Sequence, residues 1–458
     1  MSFLGIDLGT SFIKGAVLNL DARRLEYSRR APFPPPLANA NPLFCEVDPS
    51  AILNAVRALM ADLAAHVPDC EGIVMCTQMH GMVLMDGRGE AQSNCVTWRD
   101  QRALMPHPSG QGSYFEVLTR RLDPWQVRQL GNELDPGRPL CYLFWLKEQG
   151  KLAPGVSPVS VADFVLSALC GCAPGAELTN AAAYSALNLE TSTWHDAVIE
   201  RLGLDRLRWP DLRGQDEIVG RVKIKGKPVP CYAPVGDYQC ALAGALFSAE
   251  ELSLNIATGA QISRLVPALT LGEYQTRPFF DGRFLITFTG LPAGRSLNVL
   301  LELLCELAKA EGVPLQDPWK WIAQAVASVP DSDLEVDLNF FGPPHLGQGQ
   351  ITHIRGSNLT VGQLFRAAFK HMAESNYSAA LRLWPEAGWE NLLFSGGLLG
   401  KLEALREAIQ RRFAIGYRIA PSAEDTLFGL LILASAFTGK GESVAEYIQH
   451  MRGTIPGT

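Results

Sequence analysis

The sequence predicts an α/β protein with two similar halves, and two segments of the same design carry this prediction. Residues 3–14 and 252–263 each contain a short apolar run that breaks at glycine and threonine and is followed by a second apolar run, a pattern typical of a strand, a turn and a returning strand. Because such a turn lacks bulky side chains, its backbone N–H groups can point at a phosphate. Two of these turns, about half a chain apart, predict a phosphate clamp between two related domains.

A carboxylate, Asp7, interrupts the first of these otherwise apolar strands. An unpaired buried charge is costly, so Asp7 is expected to face a cleft, a cation or a hydrogen-bond donor. The alternative is an ordinary β-hairpin with a turn aspartate, since a short motif needs structural context to confirm it. The turn resembles the phosphate loops of the actin-like ATPase fold, also called ribonuclease H-like. The resemblance implies two ribonuclease H-like domains that grip one nucleotide in the cleft between them.

Composition limits the classes of protein to which the chain can belong. Its 458 residues exceed the usual size of one domain, and 47% hydrophobic and 19% charged residues are typical of a globular protein. The net charge of −7 and the lack of a lysine or arginine block argue against a nucleic-acid partner. Ten cysteines without paired C-x-x-C spacing argue against a zinc site or a disulfide framework. Free thiols and no secretory signal predict a cytoplasmic location, and the longest apolar stretch, 426–437, is too short to span a bilayer, so no membrane partner is expected.

The first half of the chain alternates predicted strands and helices. A proline-rich connection at 31–36 precedes a helix with Asp48 as its N-cap, and a buried strand follows at 72–77, an order that implies a parallel or mixed sheet. The stretch 103–230 is predicted to be a mostly helical insertion. A strand at 229–234 then leads into a short helix of small residues.

The second half repeats this order. A strand at 391–394, a serine-glycine-glycine turn and a helix at about 401–413 precede an apolar helix at 428–434. The predicted boundary gives domains 1–246 and 247–458, which are interpreted as a diverged duplication.

Two common nucleotide-binding motifs do not fit the sequence. A P-loop requires G-x-x-x-x-G-K-[ST], and the nearest segments, 396–401 and 439–441, lack the spacing or the hydroxyl. No G-x-G-x-x-G follows the opening strand, which contains Gly5-Ile-Asp-Leu-Gly9. Neither a Walker ATPase nor a dinucleotide enzyme is supported.

Polar residues follow two other predicted strands, where ligands of open α/β sheets gather. Gln78, Met79 and His80 close the strand at 72–77, and a histidine beside an amide and a glycine can exchange hydrogen bonds with a polyol. The alternative is a satisfied structural histidine. Asp237 follows a glycine at the mouth of a predicted helix, where the helix dipole is expected to lower the pKa of its carboxyl group and keep it ready to accept a proton from a sugar hydroxyl. The alternative for Asp237 is a helix N-cap, worth about 1 kcal/mol.

Six short motifs occur in a fixed order along essentially the whole chain. They are Gly5-Ile-Asp-Leu-Gly-Thr10, Gln78-Met-His-Gly81, Trp98-Arg-Asp-Gln-Arg102, Gly236-Asp237 with Gln239, Thr258-Gly259 and Ser395-Gly-Gly397. In this order and at these separations they resemble the FGGY carbohydrate kinases. Each motif is modest, but six together are specific.

Within that family, some segments resemble sedoheptulokinases more than glycerol kinases. These segments are 254–263, Thr97-Trp98, 277–282 and 294–298. Xylulokinases share the Gln78 motif equally well. The chain departs from the family at 341–347, where many members carry a glycine-glutamate-arginine turn. The resemblance therefore does not define the exact substrate pocket.

The resemblance implies ATP-dependent phosphorylation of a ketose hydroxyl, with a sugar-binding and catalytic N-terminal domain and a nucleotide-binding C-terminal domain. Asp237 corresponds to the catalytic base, and Asp7 to the acid near Mg²⁺ and the transferring phosphoryl group. The implied sugar-binding residues are Gln78, Met79 and His80, with Trp98, Asp100 and Arg102 supporting that wall. The implied ATP-binding residues are Thr10, Ser11 and Lys14 in the first turn, Thr258, Gly259 and Gln261 in the second, and Gly396 and Gly397 near the adenosine.

Three functions remain open at this point. Sedoheptulose is the first expected substrate and D-xylulose the second. A non-catalytic sugar or nucleotide sensor of the actin fold is the opposing class, although such a binder would not need both Asp7 and Asp237. Related kinases often pair, so a homodimer is also expected.

Overall fold

Two large mixed β-sheets form the framework of the protein. The computed structural model describes residues 1–341, 348–438 and 443–454. Most of the segment at 341–347 and the glycine-lysine-glycine segment at 439–441 therefore lie outside the described residues. The elements up to residue 246 are β1 (Ser2–Leu8), β2 (Phe12–Asn19), β3 (Arg24–Pro32), β4 (Glu46–Val47), α1 (Pro49–Ala65), β5 (Gly72–Thr77), β6 (Met82–Met85), β7 (Cys95–Val96), α2 (Tyr114–Arg121), α3 (Pro124–Gln129), α4 (Pro139–Glu148), β8 (Ser157–Ser160), α5 (Val161–Cys170), β9 (Gly175–Glu177), α6 (Leu178–Ala182), β10 (Leu187–Asn188), β11 (Thr193–Trp194), α7 (Asp196–Leu202), β12 (Asp211–Arg213), β13 (Ile218–Ile224), β14 (Lys227–Tyr232), β15 (Val235–Gly236) and α8 (Asp237–Gly244).

The remaining elements follow the proposed boundary at residue 247, and we call the two sides of this boundary the N-terminal lobe and the C-terminal lobe. The elements of the C-terminal lobe are β16 (Glu251–Ile256), β17 (Ala260–Val266), β18 (Gln275–Pro278), β19 (Phe284–Leu291), α9 (Gly294–Ala310), α10 (Pro318–Ala327), β20 (Glu335–Asp337), β21 (Gln350–Thr352), α11 (Val361–Leu383), β22 (Asn391–Ser395), α12 (Gly397–Lys401), α13 (Glu403–Phe413), β23 (Tyr417–Ile419), α14 (Asp425–Thr438) and α15 (Val444–Arg452).

The first sheet brings the ends of three strands to one edge. Its order is β13-β14-β5-β1-β2-β3, and β15 also pairs with β5. Strand β5 runs parallel to both β1 and β15, and Cys76 is the register partner of Asp7 on one side and of Val235 on the other. Since Asp237 comes two residues after Val235, Asp7 and Asp237 lie at the same edge, on either side of β5.

The second sheet repeats this arrangement, as expected for a duplication. Its order is β18-β19-β17-β16-β22-β23, with β16 antiparallel to β17 and parallel to β22. Asn255 pairs with Ser395, so the turn after β16 lies beside Gly396. The two predicted strand-turn-strand segments are thus confirmed, each at the centre of its own sheet.

Helices α8 and α14 cross so closely that only glycine fits at the crossing. A Cβ atom on Gly244 would lie 2.0 Å from the carbonyl oxygen of Asp425, and one on Gly429 would lie 1.9 Å from that of Cys240. Buried apolar residues of α8 and α14 belong to a core that also includes Phe3 of the first sheet and residues of the second. The two lobes therefore share one hydrophobic core at this crossing.

Local sequence signals placed most elements correctly, and the main error lies at the end of the predicted insertion. The N-cap of α1 is confirmed, since the Asp48 carboxylate accepts a hydrogen bond from the backbone of Ser50 at 2.8 Å. The stretch 103–230, predicted to be mostly helical, contains the short strands β8–β12 between its helices, and at its end β13 and β14 form a hairpin of the main sheet. A two-residue turn with positive φ at Lys225 and Gly226 joins these strands. The strand predicted at 229–234 is accordingly β14, which starts and ends two residues earlier, followed by β15.

Among the described residues, no helix combines the length and apolar character needed to cross a membrane.

Candidate active site

Asp7 is a buried carboxylate with one oxygen unpaired. Its Oδ2 accepts a hydrogen bond from Thr426 Oγ1 at 2.7 Å, whereas Oδ1 has no hydrogen-bond partner within the described part of the chain. Burial raises the pKa of Asp7, and the bond from Thr426 and the charge of Lys14 oppose this rise. A group held in this way favours a cation or donor at Oδ1, as expected for a carboxylate that faces a ligand.

Asp237 is the first residue of α8, and its pKa is raised to about 7, first by burial and then by the negative charge of Asp7. The bond from the Tyr238 backbone N–H opposes this rise. The expectation that the helix dipole would lower the pKa is therefore wrong, because desolvation and a like charge outweigh the helix terminus. The N-cap interpretation is also wrong, since Gly236 occupies the N-cap position.

Glu424 and Asp425, at the start of α14, add acidic groups that received no role from the sequence. Burial raises the pKa of Asp425, and its charge contributes to the raised pKa values of Asp7 and Asp237. Glu424 accepts a hydrogen bond from Lys14 Nζ at 2.7 Å. Burial lowers the pKa of Lys14, but the bond to Glu424 and the nearby carboxylates outweigh it and leave the pKa raised. An acidic pair directly before an apolar helix with a central glycine was the available sequence signal.

The strand-end segment after β5 lines the other side of the cleft. Gln78 is buried, its Nε2 donates to Gly9 O at 3.5 Å, and its Oε1 has no partner among the described residues. Met79 is buried beside Gly236. His80 adopts a positive φ of 69°, and burial and two guanidinium groups hold its pKa well below the usual value. The neutral ring leaves Nε2 without a hydrogen bond in the described structure, which does not fit a satisfied structural histidine.

Trp98 connects this wall to the first phosphate turn. The indole is 44% exposed, and its Nε1 donates to Thr10 Oγ1 at 3.0 Å. Asp100 and Arg102 are buried and joined by two hydrogen bonds of 2.7 and 2.8 Å. The Asp100 carboxylate and the Nε and Nη2 atoms of Arg102 are bonded within the protein, so these contacts favour support of the wall over direct contact with a sugar. The Arg102 guanidinium also lies over three aromatic rings, those of Phe44, Tyr142 and Trp145.

The second phosphate turn is open to solvent. Thr258 and Gly259 are exposed between β16 and β17, and Ser11 is exposed in the first turn. Gly396 has a φ of +89°, and a Cβ atom there would lie 2.4 Å from the carbonyl oxygen of Ile256, so glycine is required where the two turns meet. Two further predicted nucleotide-binding residues adjoin these turns. Gln261 lies on β17, which follows the turn at Thr258, and Gly397 is the first residue of α12, directly after Gly396.

The carboxylates near Asp7 fit a magnesium ion held mainly by water and phosphate. Burial raises the pKa of Asp7, Asp237 and Asp425, and the charge of Asp425 adds to the rise at the other two, so a cation among these carboxyl groups would stabilise their ionised forms. Within the described residues, no three acidic, histidine or cysteine side chains are close enough to hold a metal on their own. Mg²⁺ commonly binds through one or two carboxylates and substrate phosphates, and the free Oδ1 of Asp7 suits this mode.

A separate cavity of about 740 Å³ lies in the N-terminal lobe, where Arg57, Phe164 and Trp209 are among its lining residues. None of the predicted site residues lines it. The chemistry described above therefore lies in the cleft and not in this cavity.

Comparisons with known proteins agree with this geometry. The model of the FGGY family of carbohydrate kinases, N-terminal domain, matches residues 2–244. The sedoheptulokinase of Homo sapiens is 23% identical over 492 aligned residues, which cover 96% of this chain and 98% of that protein. The xylulose kinase of Lactococcus lactis is 23% identical over 318 residues, which cover 64% of this chain and 60% of that protein.

Solved structures of sugar kinases have the same fold. The ligand-bound xylulose kinase of Lactobacillus acidophilus superposes with a TM-score of 0.83 and 18% identity, over 98% of this chain and 91% of that chain. The glycerol kinase of Plasmodium falciparum with ADP superposes with a TM-score of 0.81 and 15% identity, over 98% and 92% of the two chains. The predicted fold of two ribonuclease H-like domains is confirmed. Because the family model matches more than half of the chain, the protein belongs to the FGGY family of carbohydrate kinases and is an ATP-dependent sugar phosphotransferase.

Proposed function

We propose that this kinase phosphorylates a hydroxyl group of a ketose, with sedoheptulose as the first candidate and D-xylulose as the second. The observation that carries the proposal is a set of unpaired buried polar atoms at one edge of the first sheet. They are Asp7 Oδ1, Gln78 Oε1 and His80 Nε2, and they lie beside Asp237. Buried polar atoms are normally hydrogen-bonded, so three such atoms together indicate a site that a polar ligand completes.

In the proposed reaction, Asp237 accepts the proton of the sugar hydroxyl as that oxygen attacks the γ-phosphorus of ATP, and the bond from the γ-phosphorus to the β–γ bridging oxygen breaks, so that ADP leaves and the sugar phosphate forms. A pKa of about 7 suits this role, because a general base is most effective when its pKa is near the working pH. The phosphates would lie between the turns at Thr10-Ser11 and Thr258-Gly259, whose backbone N–H groups can donate to them. Asp7 would hold Mg²⁺, which supplies positive charge at the phosphate oxygens when bound. The chain thus provides positioning, charge neutralisation and a base.

The choice of sugar rests on similarity. The sedoheptulokinases of Homo sapiens and Mus musculus align with this chain over 96% and 90% of its length. Xylulose kinases favour the second candidate, since their names recur among the relatives and the solved structures. The alternative of a non-catalytic sensor would leave the pairing of Asp7 with Asp237 without a purpose.

A coupled assay of ADP release over a panel of C5 to C7 ketoses and polyols tests this proposal. We expect turnover that depends on sedoheptulose or D-xylulose, and a fall in kcat of about 10²- to 10⁴-fold in Asp237→Asn and Asp237→Ala, with the fold and ATP binding retained. Asp211→Asn, which changes an exposed aspartate at the protein surface, serves as the control. Turnover of an Asp237 variant within tenfold of the wild type would reject its role as the base.

Two expectations about the whole protein belong to the same proposal. They are a cytoplasmic location and a homodimeric assembly. Light scattering on the purified chain measures its mass in solution and so tests the second.

A further inference from the structure

We infer that Arg277, a residue of the C-terminal lobe, binds the sugar, so that both lobes build the acceptor pocket. The inference rests on the proposed function and extends it by naming a specificity-determining residue. The inference follows from the backbone contacts of β18 with the N-terminal lobe and from the ion pair, the unbonded N–H groups and the neighbouring residues of Arg277.

Strand β18 packs directly against the N-terminal lobe. The N–H of Thr276 donates to the carbonyl oxygen of Gly131 at 2.9 Å, and Gln239 Nε2 donates to the carbonyl oxygen of Pro278 at 3.1 Å. A Cβ atom on Gly131 would lie 2.2 Å from the carbonyl oxygen of Thr276, so the two backbones are in direct contact. Arg277 stands between these two anchor points and is fixed relative to α8, which begins at Asp237.

The Arg277 side chain shares a carboxylate with His80. Its Nε donates to Glu133 Oε1, and Glu133 Oε2 lies 3.9 Å from His80 Nε2. Arg138 also donates to Glu133, at 2.9 Å. Glu133 is buried and pairs with both arginines, so the cluster is held rigidly next to the predicted sugar wall.

The Arg277 guanidinium has N–H donors that make no hydrogen bond within the described part of the chain. Arginine carries five N–H donors, and within the described part of the chain only Nε of Arg277 makes a hydrogen bond to protein. The terminal nitrogens are not among the described buried polar atoms that lack a partner, so they keep contact with solvent although the residue is 94% buried. These donors are therefore available to a ligand in the cleft.

The neighbours of the guanidinium are the residues that would hold the sugar. Its central carbon lies 5.4 Å from the centre of the Tyr238 ring, directly after Asp237 in the chain. Burial has the largest influence on the pKa values of Asp237 and His80, and the charge of Arg277 influences both of them as well. A sugar with one hydroxyl at Asp237 and another at His80 would thus lie within reach of the free N–H groups of Arg277. Since this residue belongs to the other lobe, bound sugar would join the two lobes on the acceptor side.

Sugar affinity in matched variants tests the inference. The variants are Arg277→Gln, Arg277→Lys and the control Arg128→Gln, which breaks another ion pair between the lobes, the exposed pair of Arg128 with Glu273. Calorimetric titration with sedoheptulose and with D-xylulose gives Kd without turnover, and steady-state assays give KM for sugar and for ATP. We expect Arg277→Gln to weaken sugar binding about 10- to 100-fold, as for a lost charged hydrogen bond, with KM for ATP changed by less than about twofold. Arg128→Gln should bind sugar like the wild type.

Sugar affinity of Arg277→Gln within about twofold of the wild type would overturn the inference, even if the wild type proves to be a ketose kinase. A crystal structure of the wild-type protein with the better-bound of the two sugars gives a readout that does not depend on a variant folding. A guanidinium nitrogen within about 3.2 Å of a sugar oxygen supports the inference, and a sugar with no contact to Arg277 refutes it. If the wild type neither binds nor phosphorylates either ketose, the proposed substrates fail, and the role of Arg277 in binding them fails too.

Discussion

The turn that carries Asp237 is held in place by α6, and Thr179→Val tests whether this support matters for catalysis. Thr179 Oγ1 accepts the N–H of Gly236 at 2.8 Å and itself donates to Glu177 Oε2. Asn180 Nδ2 donates to the carbonyl oxygen of Pro234 at 2.8 Å, so α6 binds both ends of the strand before Asp237. Thr179 and Asn180 of α6 and Glu177, which directly precedes this helix, are all buried.

The expected cost follows from these contacts. Valine has the shape of threonine without the hydroxyl group, so Thr179→Val leaves the buried N–H of Gly236 unpaired and removes one donor from Glu177. An unpaired buried group costs about 1 to 3 kcal/mol, so we expect the free energy of unfolding to fall by about 2 to 4 kcal/mol. A displaced Gly236 also moves Asp237, and a shift of about 1 Å at a catalytic group can cost about 10²-fold in rate.

Kinetics at a temperature where every variant is folded separates the two effects. We expect kcat of Thr179→Val to fall about 10- to 100-fold with little change in KM for ATP, whereas Thr179→Ser, which keeps the hydroxyl group, should retain most of the activity. Thr438→Val removes a hydroxyl group that donates to Ala434 O at the far end of α14, and it serves as a control for the same substitution away from the site. Equal kcat in the valine and serine variants would refute the idea that α6 positions the base.

Two further predictions concern the base and the helix crossing. Because Asp237 must be deprotonated to act and its pKa is about 7, kcat/KM for sugar should fall about tenfold per pH unit below that value. Saturating Mg²⁺ should move the midpoint of this profile to lower pH. A flat profile between pH 5.5 and 8 would contradict the prediction. Gly429→Ala should lower the melting temperature and the activity, because its Cβ atom would meet the Cys240 carbonyl oxygen at 1.9 Å, whereas Gly87→Ala, at an open surface position, should change neither. Unchanged melting in Gly429→Ala would show that the crossing tolerates a methyl group.

Local patterns carried the prediction of the fold because the relevant signals lie within a few residues of each other. The strand-turn-strand segments, the Asp48 cap and the strand ends at His80 and Asp237 depend on short-range chemistry, and each is found in the structure. Strand β13, the first strand of the hairpin, was missed although Val222 and Ile224 alternate with polar residues as in a strand, because the stretch 103–230 was interpreted as one mostly helical insertion.

The parts of the site that escaped prediction arise from contacts over long sequence separations. Burial is the main cause of the raised pKa of Asp237, and the charges of Asp7 and Asp425, from opposite ends of the chain, add to it; no local pattern carries this information. The pairing of Arg277 with Glu133 joins residues 144 positions apart. Helix-dipole reasoning treated Asp237 as an isolated group, and burial in the folded cleft reversed its conclusion.

The close contact of Gly244 with the Asp425 carbonyl oxygen limits how the two lobes can rotate relative to each other. Asp425 stands at this point, and Asp237 is less than one helical turn from Cys240, the other point of contact. Asp237 and Asp425 therefore lie close to this point of contact, and any rotation of the lobes that keeps the crossing packed preserves the geometry of these two acids.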